Sequence, residues 1–151
     1  MATHISKSPE ETFALGERWG RAAQRGWVIG LSGDLGAGKT QLVKGLAHGL
    51  GVAARVHSPT FALLNEYGGG RLRLFHLDLY RLNSREEVFG AGLEEYLVNP
   101  DGVAVVEWIE RWAEGSKSEV QSPRSFGITR LVRMETLSEQ ERCITYEDSG
   151  A

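Results

Sequence analysis

Residues 33–40 of the chain read Gly-Asp-Leu-Gly-Ala-Gly-Lys-Thr, which is a complete G-x-x-x-x-G-K-[ST] phosphate-binding loop. An apolar run at residues 27–31 precedes this loop, and a helical pattern of apolar residues at 42–50 follows it. Strand, glycine-rich loop and helix therefore occur in the order that the motif requires, which predicts an α/β fold with a nucleotide-binding site.

The residue types in this loop fit a nucleoside polyphosphate. Glycines let consecutive backbone N–H groups face an anion, and the following helix adds the positive end of its dipole. Lys39 would neutralise the β- and γ-phosphate oxygens, and the hydroxyl of Thr40 would bind a Mg²⁺ that bridges them. The predicted phosphate-binding residues are Gly33, Asp34, Leu35, Gly36, Ala37, Gly38, Lys39 and Thr40.

Length and composition predict one domain over residues 1–151, because 41% hydrophobic residues in 151 support a single core. We expect residues 1–7 and 148–151 to fray, and the polar, serine-rich residues 114–125 to form a surface loop. A single cysteine, Cys143, excludes an intramolecular disulfide, which suits a reducing compartment.

The net charge of −3 disfavours strong unaided binding to tRNA or DNA, because such binding requires many cations along the phosphate backbone. The first residues lack the apolar core of a secretion signal, and no stretch approaches 18 consecutive apolar residues. We therefore expect a soluble, cytoplasmic protein that does not bind a membrane.

Two capping boxes predict helix starts, at Ser8 and at Ser84, since each serine is followed three residues later by a glutamate. The first predicts a helix over residues 9–25 with proline at its first position. The residues expected on its inner face are Thr12, Leu15, Trp19, Ala22 and Ala23.

Glycines at 68–70 separate two strand-like runs, 61–67 and 71–78, which predicts an antiparallel hairpin inside the α/β domain. A second, closing hairpin is predicted from the runs 126–134 and 142–147.

Two acidic residues stand at the ends of apolar strands: Asp78 ends the run 74–78, and Glu107 ends the run 103–107. Because the carboxyl ends of parallel strands line the ligand crevice of an α/β sheet, at least one of the two is predicted to bind Mg²⁺ or to position water. Either acid alone could instead be a charge at the N-terminus of a helix or a rim residue. His76 is more typical of a core or supporting histidine than of a base.

Other residues near these strands are less informative. Thr60 follows Ser-Pro and could be the γ-phosphate-sensing hydroxyl of a nucleotide switch, although such stretches are often simple turns. Tyr80 and Trp108 follow the two acids; each could contact a nucleotide or a partner, but packing is the default interpretation for both. Arg81 and Arg111 could supply charge to a transition state or could be solvated at the surface.

The combination of motifs resembles the bacterial tRNA threonylcarbamoyladenosine biosynthesis family TsaE, also called the YjeE family of P-loop ATPases. The resemblance extends over residues 8–112 and implies a P-loop NTPase-like α/β domain whose central sheet mixes parallel and antiparallel strands between helices. Its segments are the loop at 33–40, Ser-Pro-Thr-Phe at 58–61, Asn-Glu-Tyr at 65–67, His-Leu-Asp-Leu-Tyr-Arg-Leu at 76–82, Glu-Glu-Tyr-Leu at 94–97 and Glu-Trp at 107–108.

The resemblance also implies a function. Members of this family hydrolyse ATP with Mg²⁺ and act on a two-protein complex, TsaB with TsaD, which transfers threonylcarbamoyl onto an adenosine of tRNA. The tRNA is then a partner only through that complex. By this resemblance Lys39, Thr60, Asp78 and Glu107 serve catalysis, and Thr40, Asp78 and Glu107 serve the metal ion.

Two other functions share the phosphate-binding loop. A small-molecule kinase would transfer the phosphate to an acceptor, but its only candidate lid, residues 114–125, has few apolar residues to close over a substrate. A nucleotide-dependent docking switch would bind a partner with little hydrolysis of its own. A GTPase is less compatible, because the chain has no Asn-Lys-x-Asp segment to recognise guanine.

Overall fold

A computed structural model describes residues 2–33, 38–53, 64–113 and 127–148. The helices in these residues are α1 Pro9–Ala22, α2 Lys39–Gly49, α3 Arg85–Gly90, α4 Glu94–Leu97 and α5 Glu110–Ala113. The strands are β1 Ala2–Ser6, β2 Val28–Gly33, β3 Leu64–Tyr67, β4 Leu74–Asp78, β5 Val103–Glu107, β6 Arg130–Thr136 and β7 Arg142–Asp148. None of these helices is long and apolar enough to span a lipid bilayer.

All seven strands form one mixed sheet in the order β1-β7-β6-β2-β5-β4-β3. Strand β2 runs parallel to both β5 and β6, and β5 runs parallel to β4. The outer pairs are antiparallel, and both predicted hairpins are present, as β3 with β4 and as β6 with β7. The predicted α/β fold with a mixed sheet between helices is therefore confirmed.

Both chain ends are more ordered than the sequence predicts. Residues 2–6 were expected to fray, but they form β1, which pairs antiparallel with β7 from Ala2 opposite Tyr146 to Ser6 opposite Arg142. Asp148, expected in the frayed tail, is the last residue of β7. The reason is long-range: backbone N–H and C=O groups on the free edge of β7 bond a strand from the opposite end of the sequence. The predicted tail beyond 148 and the predicted loop 114–125 lie outside the described residues.

The core has two layers, because strand side chains alternate between the faces of the sheet. On β5, Val103 and Val105 pack in the cluster that contains the buried residues of α1 and α2. Ala104 and Val106 pack on the other side, in the cluster that contains Val88 of α3. Side chains at the carboxyl ends of β4 and β5 therefore face α2 only from the side of the sheet on which Val103 and Val105 lie.

Helix α1 begins as predicted, at a capping box where the Ser8 side chain accepts a hydrogen bond from the backbone N–H of Glu11. It ends at Ala22 rather than at residue 25, and Ala22 is exposed, so its predicted place on the inner face is wrong. The other predicted inner residues are buried, together with two glycines that the prediction omitted.

Helices α1 and α2 cross backbone to backbone. A Cβ atom added at Gly45 would lie 2.0 Å from the carbonyl oxygen of Phe13, and one added at Gly20 would lie 2.3 Å from that of Leu46. Such distances leave no room for a methyl group, so glycine is required at the contact. The glycines in this contact are Gly16, Gly20, Gly45 and Gly49.

Candidate functional site

The predicted site residues on the strands meet at one edge of the sheet. Glu107 is paired with Leu31 of β2 on one side and with Asp78 of β4 on the other. Since these strands are parallel, their carboxyl ends lie side by side, and the two acids are neighbours across the sheet. Helix α2, which follows β2, begins at the same edge with Lys39 and Thr40.

A cavity of about 570 Å³ opens at this edge. Four of the residues predicted from the sequence to do chemistry share it: Lys39, Thr40, Asp78 and Glu107. Its described lining residues are Pro9, Gly38, Lys39, Thr40, Gln41, Lys44, Asp78, Tyr80, Glu107 and Trp108.

The start of α2 is suited to an anion. Its N-cap is Gly38, whose φ of 91° lies in the left-handed region that glycine adopts without strain. Among the residues that the structure describes, no side chain caps the helix there, and its fully described first turn contains no acidic residue. The positive end of the helix dipole is therefore not neutralised by an acidic residue of α2 itself. Gly33 ends β2, whereas Asp34, Leu35, Gly36 and Ala37 of the predicted loop, and Thr60, lie outside the described residues.

Lys39 is almost fully buried, with 3% of its surface exposed, and its ammonium lies against an aromatic ring. The Nζ atom is 5.3 Å from the centre of the Trp108 indole, which is within the range of a cation–π interaction. The Tyr80 ring is 5.1 Å from the same indole, and the Arg111 guanidinium carbon is 5.2 Å from it. This aromatic contact keeps the lysine side chain close to the cavity.

Trp108 has a backbone conformation that bulky residues rarely adopt, with φ of 60°. This left-handed residue turns the chain directly after Glu107, and the next N–H, that of Ile109, donates to the carbonyl of Leu31 at 3.2 Å. The strained turn brings the indole into the cavity. Strained backbone of this kind is concentrated at functional sites.

Glu107 is held by a buried histidine. Its Oε2 atom lies 2.7 Å from Nε2 of His76, whose side chain is completely buried. His76 thus supports the site acid, as the sequence suggested. Asp78 is more open, and its Oδ1 accepts a hydrogen bond from the backbone N–H of Tyr80 at 3.0 Å.

Burial raises the pKa of the Asp78 carboxyl above its usual value, and the negative charge of Glu107 raises it further. The N–H of Tyr80 and the positive charge of Lys39 oppose that rise without cancelling it. The two neighbouring carboxylates therefore repel each other, and a cation placed between them would relieve the repulsion.

The donor atoms at this edge fit Mg²⁺. The Thr40 hydroxyl and the carboxylates of Asp78 and Glu107 are oxygen ligands, which hard divalent cations prefer. Among the described residues, no group of three or more His, Cys, Asp and Glu side chains could hold a metal ion.

Sequence reasoning missed part of the cavity. Gln41 and Lys44 were not singled out, although Lys44 lies four residues after Thr40 and so shares its face of α2. Tyr80 and Trp108 were assigned to packing by default, yet both line the cavity. Their position in the sequence, shortly after the strand-end acids, was the one signal that they lie near the site. The left-handed turn at Trp108 cannot be deduced from the sequence.

A family model described as "Threonylcarbamoyl adenosine biosynthesis protein TsaE" matches residues 6–141 of the chain. A curated relative from Treponema pallidum is 49% identical over 109 residues, which is 72% of this chain and 79% of the relative. A relative from Bacillus subtilis is 46% identical over 101 residues, which is 67% of this chain and 62% of the relative. Both are named tRNA threonylcarbamoyladenosine biosynthesis protein TsaE.

A solved structure has the same fold over nearly the whole chain. The crystal structure of YdiB from Bacillus subtilis superimposes with a TM-score of 0.72 at 31% sequence identity, covering 99% of this chain and 86% of that one. The structural match thus covers a larger share of this chain than the sequence match to either of the two curated relatives.

Proposed function

Because the chain belongs to the TsaE family of threonylcarbamoyl adenosine biosynthesis proteins, we propose that it acts in the formation of threonylcarbamoyladenosine in tRNA as a Mg²⁺-dependent ATPase. The matched region spans 62% of the Bacillus subtilis relative and 79% of the Treponema pallidum relative.

One observation supports hydrolysis above all others: the phosphate-loop lysine, Lys39, shares a cavity with Thr40, Asp78 and Glu107. The backbone N–H groups at the start of α2 and the Lys39 ammonium would bind the β- and γ-phosphates. Thr40 and the acids would hold Mg²⁺, which supplies neutralising charge on the phosphate oxygens when it is bound. The remaining task is to orient a water, and a buried carboxylate suits it.

Asp78 and Glu107 would share the two acidic roles, holding the ion and orienting the water. Glu107 is fixed by His76, whereas Asp78 is held by one backbone N–H. Thr60 remains the proposed switch hydroxyl that senses the γ-phosphate.

The partners follow from the family resemblance of the sequence. We propose that the chain binds the TsaB–TsaD complex and couples ATP hydrolysis to its turnover. The net charge of −3 supports an indirect relation to tRNA, because a chain with few surplus cations binds phosphate backbones weakly by itself.

The test is phosphate release from ATP, measured for the chain alone and with purified TsaB–TsaD, with and without Mg²⁺. We expect Mg²⁺-dependent release that the pair stimulates. Lys39→Ala should abolish nucleotide binding, and Lys7→Ala, which removes an exposed lysine outside the cavity, should leave it unchanged.

The acid variants sharpen the assay. Asp78→Ala and Glu107→Ala should still bind ATP but release phosphate about a hundredfold more slowly, which corresponds to roughly 3 kcal/mol of lost transition-state stabilisation. Unchanged turnover in both would contradict the proposed roles. Transfer of phosphate to a small acceptor would indicate a kinase, and ATP-dependent docking without phosphate release would indicate a switch.

A further inference from the structure

A completely buried histidine stands between the core and the site acids. His76 lies on β4 with its backbone opposite Val105 of β5, and its side chain has 0% exposure. A polar ring at such a core position costs free energy unless hydrogen bonds compensate for the lost water. The compensating hydrogen bond joins Nε2 of His76 to Oε2 of Glu107 at 2.7 Å.

We propose that His76 is a positioning residue, which donates a hydrogen bond from a neutral, Nε2-protonated ring and thereby fixes the Glu107 carboxylate for its work on ATP. The proposal rests on the function proposed above and adds one residue, its tautomer and its task. His76 itself is not among the cavity-lining residues, so it acts through Glu107.

The tautomer follows from the hydrogen-bond partners. An ionised carboxylate can only accept, so the Nε2 atom of His76 must carry the hydrogen. The other ring nitrogen, Nδ1, is buried and has no partner among the described residues. A doubly protonated ring would bury an N–H donor without an acceptor at that atom, which costs more than a bare lone pair. The neutral Nε2–H form therefore leaves only a lone pair, and no N–H donor, without a partner among the described residues.

The task follows from the neighbours of Glu107. Asp78 is its direct partner across the sheet, and the two negative charges repel. With His76 holding Oε2, the carboxylate has one preferred orientation, and Oε1 remains for the ion or the water. Hydrogen-bond partners behind a site carboxylate typically change affinity or activity 10- to 100-fold when removed.

Three substitutions at one position test the proposal. In His76→Gln the side-chain amide N–H can reach the place of Nε2, whereas in His76→Asn it reaches only the place of Nδ1. His76→Leu removes the donor altogether and keeps a side chain of similar bulk. We expect Gln to keep kcat within about threefold, and Asn and Leu to lower kcat about 30-fold, with KM for ATP nearly unchanged.

A double variant checks that the effect passes through the carboxylate. If His76 acts through Glu107, His76→Leu should cost nothing further in a Glu107→Ala background. Wild-type kcat in the Asn and Leu variants would overturn the proposal. So would an equal loss in the Gln variant, because a purely structural role would not be rescued by the matching donor.

A second readout does not depend on hydrolysis. In ¹⁵N-histidine-labelled protein at neutral pH, the ring signal that disappears in His76→Gln should show a protonated Nε2 and an unprotonated Nδ1. Glu107→Ala should speed the exchange of that Nε2 proton with water. An Nδ1-protonated or doubly protonated ring would overturn the proposal whatever the phosphate assay shows.

The two failures can be told apart. If wild-type protein with TsaB–TsaD releases no phosphate, the proposed function fails. An Nε2–H ring bonded to Glu107 in the same sample would then keep His76 as the residue that orients this carboxylate, with its catalytic consequence withdrawn.

Discussion

The two faces of the sheet are covered in different ways. On one face, the 14-residue α1 and the 11-residue α2 touch through glycines, with backbone atoms of one helix against those of the other. On the opposite face lie α3, α4 and α5, of six, four and four residues, which cover the sheet with side chains such as Val88, Leu97 and Trp112.

The difference concerns how far each contact can adjust. Side chains can change rotamer when a neighbour changes, whereas a carbonyl oxygen in a helix moves only with its helix. The site lies on the face that cannot adjust: α2 brings Lys39 and Thr40, and β4 and β5 turn His76 and Glu107 toward the same side. Rigid backbone contact thus supports the groups whose positions matter for chemistry.

Gly45→Ala should have the largest effect on stability. Its new Cβ would lie 2.0 Å from the carbonyl oxygen of Phe13, so α1 and α2 must separate. We expect the free energy of unfolding to fall by about 3 kcal/mol, the upper part of the range for overpacking. Urea denaturation measures it, and a loss below about 1 kcal/mol would show that this face adjusts after all.

Gly90→Ala is the matched control for that substitution. Gly90 is the last residue of α3, and a Cβ added there meets nothing within 4 Å. The same change in chemistry should leave stability unaltered or raise it by up to about 1 kcal/mol, because alanine favours the helix over glycine.

Leu97→Met tests the side-chain-packed face. Leu97 is completely buried in the cluster against α3 and α5, and methionine fills a similar volume with a more flexible chain. We expect a loss of about 1 kcal/mol in unfolding free energy and an unchanged affinity for ATP.

Leu46→Met on α2 is the matched substitution for comparison with Leu97→Met. Leu46 packs beside the glycine contact between α1 and α2. It should cost more than Leu97→Met, since the helices around it cannot separate freely. Equal losses at both positions would erase the proposed difference between the two faces.

Asp78→Asn should give the smallest effect, with the opposite sign. Because the folded state raises the pKa of Asp78, its ionised form is disfavoured by folding. That penalty is absent below the unfolded pKa near 3.8, grows as the pH rises through the folded pKa, and stays constant above it. Without metal, Asn should therefore stabilise the protein by less than about 1 kcal/mol at pH 7, because solvent screens the charge of a half-buried carboxylate.

The pH dependence makes this stability change specific. Urea denaturation in EDTA at pH 7 and at pH 3 should show the gain only at pH 7. At pH 3 the Asp78 carboxyl is mostly protonated in the folded and in the unfolded state, so it carries no charge for Asn to remove. Asn can still accept the hydrogen bond from the N–H of Tyr80, so that contact is not lost. An equal gain at both pH values would assign the effect to packing rather than charge.

Much of the fold could be read from local patterns. The glycine loop between an apolar run and a helical pattern predicted β2 and α2, and the glycines at 68–70 predicted the β3–β4 hairpin. Asp78 and Glu107 were found because each ends an apolar run, and such strand ends meet in a parallel sheet. These signals succeed because sequence neighbours set the backbone conformation.

Other features had no local signal. Residues 2–6 were predicted to fray, and that prediction was wrong. Their pairing partner, β7, lies more than 130 positions away in the sequence, so no local pattern indicates the pairing. The end of α1 was placed three residues too late, and its glycines were overlooked since their use appears only against α2. The left-handed turn that brings Trp108 to Lys39 is likewise a property of the assembled sheet edge.

The sequence by itself determined which residues are the candidates for chemistry, because a phosphate-binding loop and strand-end acids are defined by residue type and short spacing. Only the tertiary structure decided that His76 supports Glu107 across 31 positions and that Trp108 covers Lys39. Such contacts depend on strand order, register and the distance between helices. A register shift of one residue would turn the strand residues His76 and Glu107 to the other face, and no local pattern records that choice.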